Sequence, residues 1–257
     1  MMLFNNNPWI KQPVPNPDAS TRLFCFSYAG GSASVFRQWP DYLSKDIEMC
    51  AVQLPGREGR FAEKPFMKLS DLIDALVKEL IPYLDRPFTF YGHSMGTLIA
   101  FELARKLRRL GRQGPEHIFV SGRCAPQVED PEVPLHQLPD KEFIEGLRRY
   151  NGTPEAVFND KDIMELLVPL IRADFTVCET YNYYHEEPLD CPISAFAGED
   201  EISSKFLDDW KEQTRHDFDT GIFPGDHFFI NTHQKQFVGA ISDRIENGRI
   251  YETYIEV

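Results

Sequence analysis

The stretch RPFTFYGHSMGTLIAFELARKL (residues 86–107) decides the fold, because it joins a strand-like run to a helix-like run through a single serine. The apolar FTFYGH run is typical of a buried strand, and a helix is predicted over residues 95–110. Ser94 lies in the turn between them, with Gly92 before it and Gly96 after it. The two glycines keep side chains away from the turn, so the serine hydroxyl can be held clear of the backbone.

Strand-like runs alternate with helix-like runs along the chain, which indicates βαβ units around a mostly parallel sheet. The runs are almost continuously apolar, as expected for strands that helices cover on both faces. We assign the strands to residues 22–28, 47–54, 88–93, 117–123, 191–198 and 218–223. A helix is predicted over residues 69–84 with Ser70 as its cap, and the last helix over residues 233–245.

The composition indicates one globular α/β domain spanning residues 1–257, with an insertion at about 124–190. The formal net charge of −13 argues against a protein that binds nucleic acid or anionic membranes, because both surfaces repel an acidic chain. The N-terminal residues do not resemble a secretory signal, and no apolar run reaches the roughly 18 residues of a membrane span. We therefore expect a cytoplasmic protein.

The five cysteines indicate packing and not chemistry, since their number is odd and their spacing is not that of metal ligands. Cys25 and Cys50 lie inside apolar strand-like runs, so we interpret the cysteines as reduced core residues. The sequence has no glycine-rich phosphate loop of the Walker or dinucleotide type. It therefore predicts neither a metal site nor a bound cofactor.

Residues 124–190 interrupt the alternation, because they contain helices near 140–149 and 160–183 but no convincing strand. The second helix is largely apolar and is predicted to carry the tyrosine cluster at 181–184. A helix this apolar must cover other residues, and a lid over an acyl pocket accounts for it. The alternative is a subdomain that packs only on itself.

The order strand, Gly-x-Ser-x-Gly turn and helix is typical of the nucleophile elbow of the α/β-hydrolase fold, with Ser94 as the nucleophile. A serine hydroxyl needs a histidine base, which a carboxylate orients, and in this fold the chain order is Ser, acid, His. His227, just beyond the last predicted strand, is the candidate base. Asp200 is the preferred acid, and Glu199 and Glu201 are the alternatives.

Two backbone N–H groups are needed to stabilise the tetrahedral oxyanion. One is the amide of Met95, directly after the nucleophile. The other is expected from the glycine-rich loop 27–36, where we assign Ala29 and keep Gly30 as the alternative. His93 lies within the elbow itself, where its side chain should point away from the serine, so we interpret it as structural.

Six blocks of the chain together resemble the stand-alone type II thioesterases that accompany nonribosomal peptide synthetases and polyketide synthases, and the related fatty-acid thioesterases. The blocks are FSYAGGSASVFRQWP (26–40), QLPGREGRF (53–61), FYGHSMGTLIAFELAR (90–105), IRADFTVCETYNYY (171–184), PLDCPISAFAGEDE (188–201) and FPGDHFFI (223–230). In that family the elbow serine, the aspartate after the late strand and the histidine before the paired phenylalanines form a catalytic triad. Carried over one by one, the resemblance implies Ser94, Asp200 and His227, an α/β-hydrolase fold and a mobile helical lid.

The resemblance also implies the substrate, an acyl group joined as a thioester to the phosphopantetheine arm of a carrier protein. Hydrolysis would clear stalled or wrongly primed carriers. The implied partners are the acyl or peptidyl carrier domains of a synthase, and we expect a monomer without a cofactor of its own. Because carrier proteins are usually acidic, docking is expected to need a local patch, for which Arg148 and Arg149 are candidates. The alternatives are an ester or lipid hydrolase, an embedded chain-releasing domain, and a binding module without catalysis.

Overall fold

A seven-stranded sheet forms the centre of the computed structural model, which describes residues 7–128, 133–150, 152–201 and 205–247. The strands are β1 (Ile10–Lys11), β2 (Thr21–Phe26), β3 (Ile47–Val52), β4 (Phe88–His93), β5 (Ile118–Ser121), β6 (Ile193–Gly198) and β7 (Phe218–Phe223). They lie in the order β1-β3-β2-β4-β5-β6-β7, and every neighbouring pair is parallel except β1 with β3. The mostly parallel sheet is as predicted; β1 was not predicted, because two residues are too short to show a pattern.

Helices cover both faces of this sheet. They are α1 (Leu69–Leu80), α2 (Met95–Arg109), α3 (Asp140–Arg148), α4 (Glu155–Phe158), α5 (Lys161–Glu179), α6 (Phe229–Thr232) and α7 (Gln234–Asn247). Successive side chains of a strand point to opposite faces. In β2, Phe24 and Phe26 therefore join the core that contains α1 and α2, whereas Leu23 and Cys25 join the core that contains α7. In the described ranges, none of the helices combines the length and the apolarity that a membrane span needs.

The start of α1 differs from the prediction that Ser70 caps it. The helix begins at Leu69, and Lys68 is the flanking residue with extended backbone angles (φ −132°, ψ 132°). Ser70 lies inside the first turn, where its hydroxyl donates to Asp71 Oδ1 (3.3 Å). The helix begins two residues earlier than a cap at Ser70 would place it, and Leu69 is itself buried in the core.

The tyrosine cluster 181–184 is not helical, contrary to the prediction. The helix α5 ends at Glu179, and the chain continues without regular structure as far as residue 188. Tyr181 and Tyr183 pack against the core on the α1 and α2 side, and the Tyr181 hydroxyl donates to Glu102 Oε1 (2.9 Å). These contacts place the two tyrosines against α2 and the core beside it, beyond the end of α5.

The segment between β5 and β6 holds α3, α4 and α5, and its described residues include no strand of the sheet. It has an apolar cluster of its own, formed by Leu135, Phe143, Leu147, Met164, Val168 and Ile171. Towards its C-terminal end, α5 also contributes the buried Val177 to the core of the sheet. The insertion thus packs partly on itself and partly on the sheet.

Candidate active site

Ser94 occupies a strained turn between β4 and α2. Its φ of 54° and ψ of −112° lie outside the regions that residues with a side chain ordinarily adopt. Its amide donates to Ser121 O on β5 (2.8 Å). A Cβ on Gly92 would lie 2.1 Å from Gly96 O, and a Cβ on Gly96 would lie 2.0 Å from Phe26 O. Both glycines are therefore required by close backbone contacts, as expected for a nucleophile elbow.

His227 lies in the loop between β7 and α6. Its ring packs against Phe228 (centroids 5.1 Å apart) and Tyr150 of the insertion (6.2 Å), and its side chain is 19% exposed. Ser94 and His227 line the same cavity. The hydrogen bonds of the described residues do not include one between Ser94 Oγ and the His227 ring. In related chemistry this contact often tightens only when substrate is bound.

The carboxylate beside His227 belongs to Glu201 and not to Asp200. Glu201 Oε1 lies 3.6 Å from His227 Nδ1, and the Glu201 side chain is only 6% exposed. Its Oε2 accepts a hydrogen bond from the Gly198 amide (3.0 Å), which holds the carboxylate against the end of β6. Asp200 is exposed, and its amide donates to Gly225 O (3.0 Å). Of the carboxylates considered, Glu201 thus makes the ion pair with His227, whereas Asp200 lines the same cavity at an exposed position, and the choice of triad acid stays a prediction.

The loop after β2 offers one of its two candidate oxyanion donors. Gly30 has a φ of 77°, and its amide donates to Asp174 Oδ2 on α5 (2.7 Å). This amide is therefore engaged, and Ala29 is the donor that remains of the two considered. Met95 is the first residue of α2, where a backbone N–H has no partner within the helix and the helix dipole favours negative charge.

A cavity of about 1280 Å³ contains Ser94 and His227. On one side it is bounded by the sheet edge and the loops that follow β2, β5, β6 and β7. The insertion forms the opposite side with mainly apolar and aromatic side chains, namely Leu147, Tyr150, Leu167, Ile171 and Phe175, and with Tyr181 and Tyr183 beyond α5. The insertion therefore covers the cavity, in addition to packing on itself.

The thioesterase domain family matches residues 21–245, which include every element from β2 to most of α7. The chain belongs to the thioesterase family.

The relatives of this thioesterase cover most of its length. The gramicidin S biosynthesis protein GrsT of Aneurinibacillus migulanus is 46% identical over 226 residues, which are 87% of this chain and 88% of GrsT. LgrE of Brevibacillus parabrevis, whose name describes a linear gramicidin dehydrogenase, is 43% identical over 244 residues, 93% of each chain. The solved structure of BorB, a type II thioesterase from the borrelidin biosynthetic cluster, has 35% identity and a TM-score of 0.83 over 92% of this chain and 97% of BorB. The predicted α/β-hydrolase fold is thereby confirmed.

In this thioesterase, His93 lies directly behind the candidate base. It is fully buried, and its ring centroid is 4.8 Å from that of His227. His93 Nδ1 lies 2.8 Å from Ser121 Oγ, which lies 2.9 Å from the Tyr91 hydroxyl. Burial, followed by the nearby His227, holds the pKa of His93 well below its ordinary value, so the ring stays neutral. The structural interpretation of His93 agrees with this packing, but the side chain adjoins the site and does not point away from it.

Gly122, just after β5, is a site residue that the sequence analysis missed. A Cβ at this position would lie 2.6 Å from His93 Cε1 and 3.0 Å from His227 Cε1, and the φ of 67° also favours glycine. Its absence of a side chain lets the two imidazole rings meet. The sequence offers only a glycine after a strand, which does not reveal such a contact.

The two arginines considered for docking have different surroundings. Arg148 is held within the insertion, since it pairs with Glu155 and lies 4.5 Å from the centre of the Phe158 ring. Arg149 is exposed and borders the cavity. Only Arg149 is therefore placed to meet a charged group that approaches the cavity.

Proposed function

We propose that this thioesterase hydrolyses acyl thioesters on the phosphopantetheine arm of acyl or peptidyl carrier domains, and so clears stalled or wrongly primed synthases. The observation that carries the proposal is the strained Ser94 elbow, which opens into one cavity with His227. The kinship with GrsT, a gramicidin S biosynthesis protein, and with BorB, a type II thioesterase from the borrelidin biosynthetic cluster, supports this substrate class. In this proposal the enzyme is a cytoplasmic monomer.

In the proposed mechanism, His227 Nε2 removes the Ser94 proton as the serine oxygen attacks the thioester carbonyl carbon. The amides of Met95 and Ala29 stabilise the oxyanion of the tetrahedral intermediate. The carbon–sulfur bond then breaks, and the imidazolium gives its proton to the leaving thiolate. The product of this half-reaction is an acyl ester of Ser94 and a free carrier thiol.

In the second half-reaction, His227 removes a proton from water, which attacks the acyl ester. A second tetrahedral intermediate forms in the same oxyanion hole. It collapses to the carboxylic acid, and the proton held by His227 returns to Ser94. Each step uses a side chain or an amide of this chain, and thioesterases of this family generally need no cofactor.

We assign the role of triad acid to Glu201 in place of Asp200. A carboxylate at Nδ1 keeps the imidazole of His227 in the tautomer with an open Nε2 and stabilises the imidazolium that forms. The distance of 3.6 Å leaves room for a hydrogen bond after a small shift of the ring. Glutamate can serve as the acid in α/β hydrolases, and burial strengthens its interaction with the charged ring.

The insertion at 124–190 is the proposed lid. Its aromatic and aliphatic side chains form one wall of the cavity, so they would contact the acyl chain while Ser94 reaches the carbonyl. A site with this composition binds apolar groups through buried area and orients them through few polar contacts. The lid would have to move away from Ser94 for the carrier arm to enter.

Mass spectrometry of carrier proteins loaded with different acyl groups, before and after exposure to the enzyme, tests the function. We expect the acyl mass to be lost while the phosphopantetheine stays on the carrier, and S94A to lower kcat about 10⁴- to 10⁶-fold. Intact acyl carriers throughout, together with failure of a fluorophosphonate probe to label Ser94, would contradict the proposal.

A general ester hydrolase is the second candidate, because the same three groups cleave oxoesters. An acyl carrier, a small acyl thioester and a matched oxoester should be compared by kcat/KM. A preference for the oxoester would favour the second candidate.

Incubation of the enzyme and an acyl carrier with nicotinamide cofactors tests for the dehydrogenase activity that the name of LgrE describes. We expect no oxidation or reduction of the cofactor in this experiment.

A further inference from the structure

Asp174, in the last third of α5, forms a buried junction between the insertion and the loop after β2. Its side chain is 4% exposed, as is that of Arg57, and the two form a bidentate ion pair, with Arg57 Nη2 2.9 Å from Oδ1 and Nη1 3.0 Å from Oδ2. Asp174 Oδ2 also accepts from the Gly30 amide (2.7 Å). Arg57 Nη1 donates to Gly31 O (2.8 Å). One carboxylate and one guanidinium thus hold two consecutive residues of the loop.

These contacts select one form of a tight turn. The Gly31 amide donates to Tyr28 O (2.9 Å), so Ala29 and Gly30 are the two central residues of a four-residue turn. The φ of 77° at Gly30 is that of the third position of a type II turn. Types I and II differ mainly by a flip of the central peptide, whose N–H belongs to Gly30. Since Asp174 accepts from that N–H, it favours the type II form.

Helix α5 also forms part of the wall of the cavity. Ile171, one turn before Asp174, lies 3.2 Å from the position that a Cβ on Gly30 would occupy, and it lines the cavity with Phe175. The position of α5 against the cavity and the conformation of the Tyr28–Gly31 turn therefore depend on each other. The turn contains Ala29, the donor that the proposed function assigns to the oxyanion. The Ala29 N–H belongs to the peptide before the central one, so its direction depends on where Asp174, Arg57 and Ile171 hold the turn as a whole.

We propose that Asp174 is a positioning residue, which holds the Tyr28–Gly31 turn so that the Ala29 amide points at the oxyanion only while α5 is seated on the cavity. The proposal rests on the proposed function, because it concerns the oxyanion hole of that reaction. It goes beyond that function by making formation of the hole depend on the insertion. Arg57 acts through Asp174 and is part of the same junction.

The test compares D174A with a matched variant, D219A. Asp219 forms an ion pair of similar burial with Arg244, and its carboxylate also accepts from Ser194 in the sheet. Both variants lose a buried Asp–Arg pair, so both should be less stable. For each, kcat and KM are measured well below its unfolding temperature. Affinity is measured for an acyl trifluoromethyl ketone, which forms a tetrahedral oxyanion on serine, and for an unreactive thioether of the same chain length.

D174A should lower kcat by up to the 10²- to 10³-fold that loss of one oxyanion donor causes. The affinity for the ketone should fall by a similar factor, whereas KM and the affinity for the thioether should change little. D174N keeps an oxygen that can accept from Gly30 and should lie between D174A and the wild type. D219A should leave kcat, KM and both affinities close to those of the wild type. A D174A enzyme whose kcat and ketone affinity match those of D219A would overturn the proposal.

Hydrogen exchange at the Gly30 amide provides a second measurement. It does not depend on catalytic turnover, and in the wild type it does not require that a variant folds. In the wild type this amide should be strongly protected, together with those of α5, and the protection should be lost in D174A and partly kept in D174N. A Gly30 amide that exchanges freely in the wild type would contradict the proposal. A wild type that hydrolyses no acyl thioester would contradict the proposed function, whereas an active wild type with an unaffected D174A contradicts only the role of Asp174.

Discussion

The sheet and the insertion hold their residues in place by different means. In the sheet, the five strands β2 to β6 are buried along their whole length. Ser94 and His227 are positioned by backbone turns that follow strands of this sheet. The insertion has a small apolar cluster of its own and contributes Val177 to the core of the sheet, and polar contacts fasten it as well. For example, the Glu179 carboxylate accepts from the amides of Leu135 and His136, both at 2.8 Å.

We expect this difference to separate the part of the molecule that carries out catalysis from the part that controls access of the substrate to Ser94. Polar contacts can be exchanged for contacts with water at small net cost, whereas a packed core of aromatic side chains cannot open in this way. Segments with few buried apolar contacts are those that open locally. We therefore expect the sheet to keep the catalytic groups in one geometry and the insertion to control which acyl carriers reach them.

The largest effect should come from the sheet side. E201Q is expected to lower kcat by up to about 10⁴-fold, because a neutral amide at His227 Nδ1 does not stabilise the imidazolium and favours the wrong tautomer. The matched variant D200N changes the exposed neighbour in the same way and should retain most of the activity. Steady-state kinetics on one acyl carrier measure both. Loss of activity in D200N with little change in E201Q would restore Asp200 as the acid.

The choice between these two carboxylates shows where sequence reasoning stops. The elbow and the histidine could be predicted, since strand–turn–helix order and a loop after the last strand fix their place. The acid could not, because three carboxylates are adjacent after Gly198, and their placement depends on backbone contacts across the turn, such as that of the Asp200 amide with Gly225 O. Composition does not encode such a contact.

Asp174 could not be found from the sequence for a related reason. Its partners are Arg57 and Gly30, which lie 117 and 144 positions away. The apolar composition of α5 predicts that this helix covers other residues. It does not reveal which buried charge on the helix meets a distant loop.

A smaller effect, also on the sheet side, should appear in the stability at acid pH. His117, directly before β5, is stacked on Phe119 (centroids 4.2 Å apart), and its Nε2 lies 2.8 Å from Ser194 Oγ. Burial, followed by the charge of Arg244, lowers the pKa of His117 from 6.5 to about 3. Between these pH values the unfolded chain binds a proton that the folded chain does not. The contribution of His117 to the free energy of unfolding therefore falls by about 1.4 kcal/mol per pH unit as the pH drops below 6.5.

Urea unfolding of the wild type and H117F at several pH values between 7 and 5 measures this effect. The advantage of the wild type should shrink as the pH falls, whereas at pH 7 and above it should be constant. H216Q changes an exposed histidine and should leave the pH dependence unaltered. A difference between the wild type and H117F that does not vary with pH would contradict the assignment.

The smallest effect is expected on the insertion side. R149E should raise KM for an acyl carrier by roughly a few-fold, and less at high salt, because charge at the rim acts mainly on encounter with an acidic partner. The same variant should leave KM for a small acyl thioester unchanged. R148E serves as the control, because Arg148 is engaged within the insertion. An equal change in KM for both substrates, or an equal change in R149E and R148E, would show that the carrier does not dock at Arg149.

The central step of the proposed reaction is the formation of an acyl ester on Ser94. Rapid quenching of the reaction with an acyl carrier, followed by digestion and mass spectrometry, should find the acyl mass on the peptide that contains Ser94, before the free acid accumulates. S94A should give no such adduct. An acyl group found instead on Cys124 or Cys178, which line the same cavity, with Ser94 unmodified during turnover, would contradict the account.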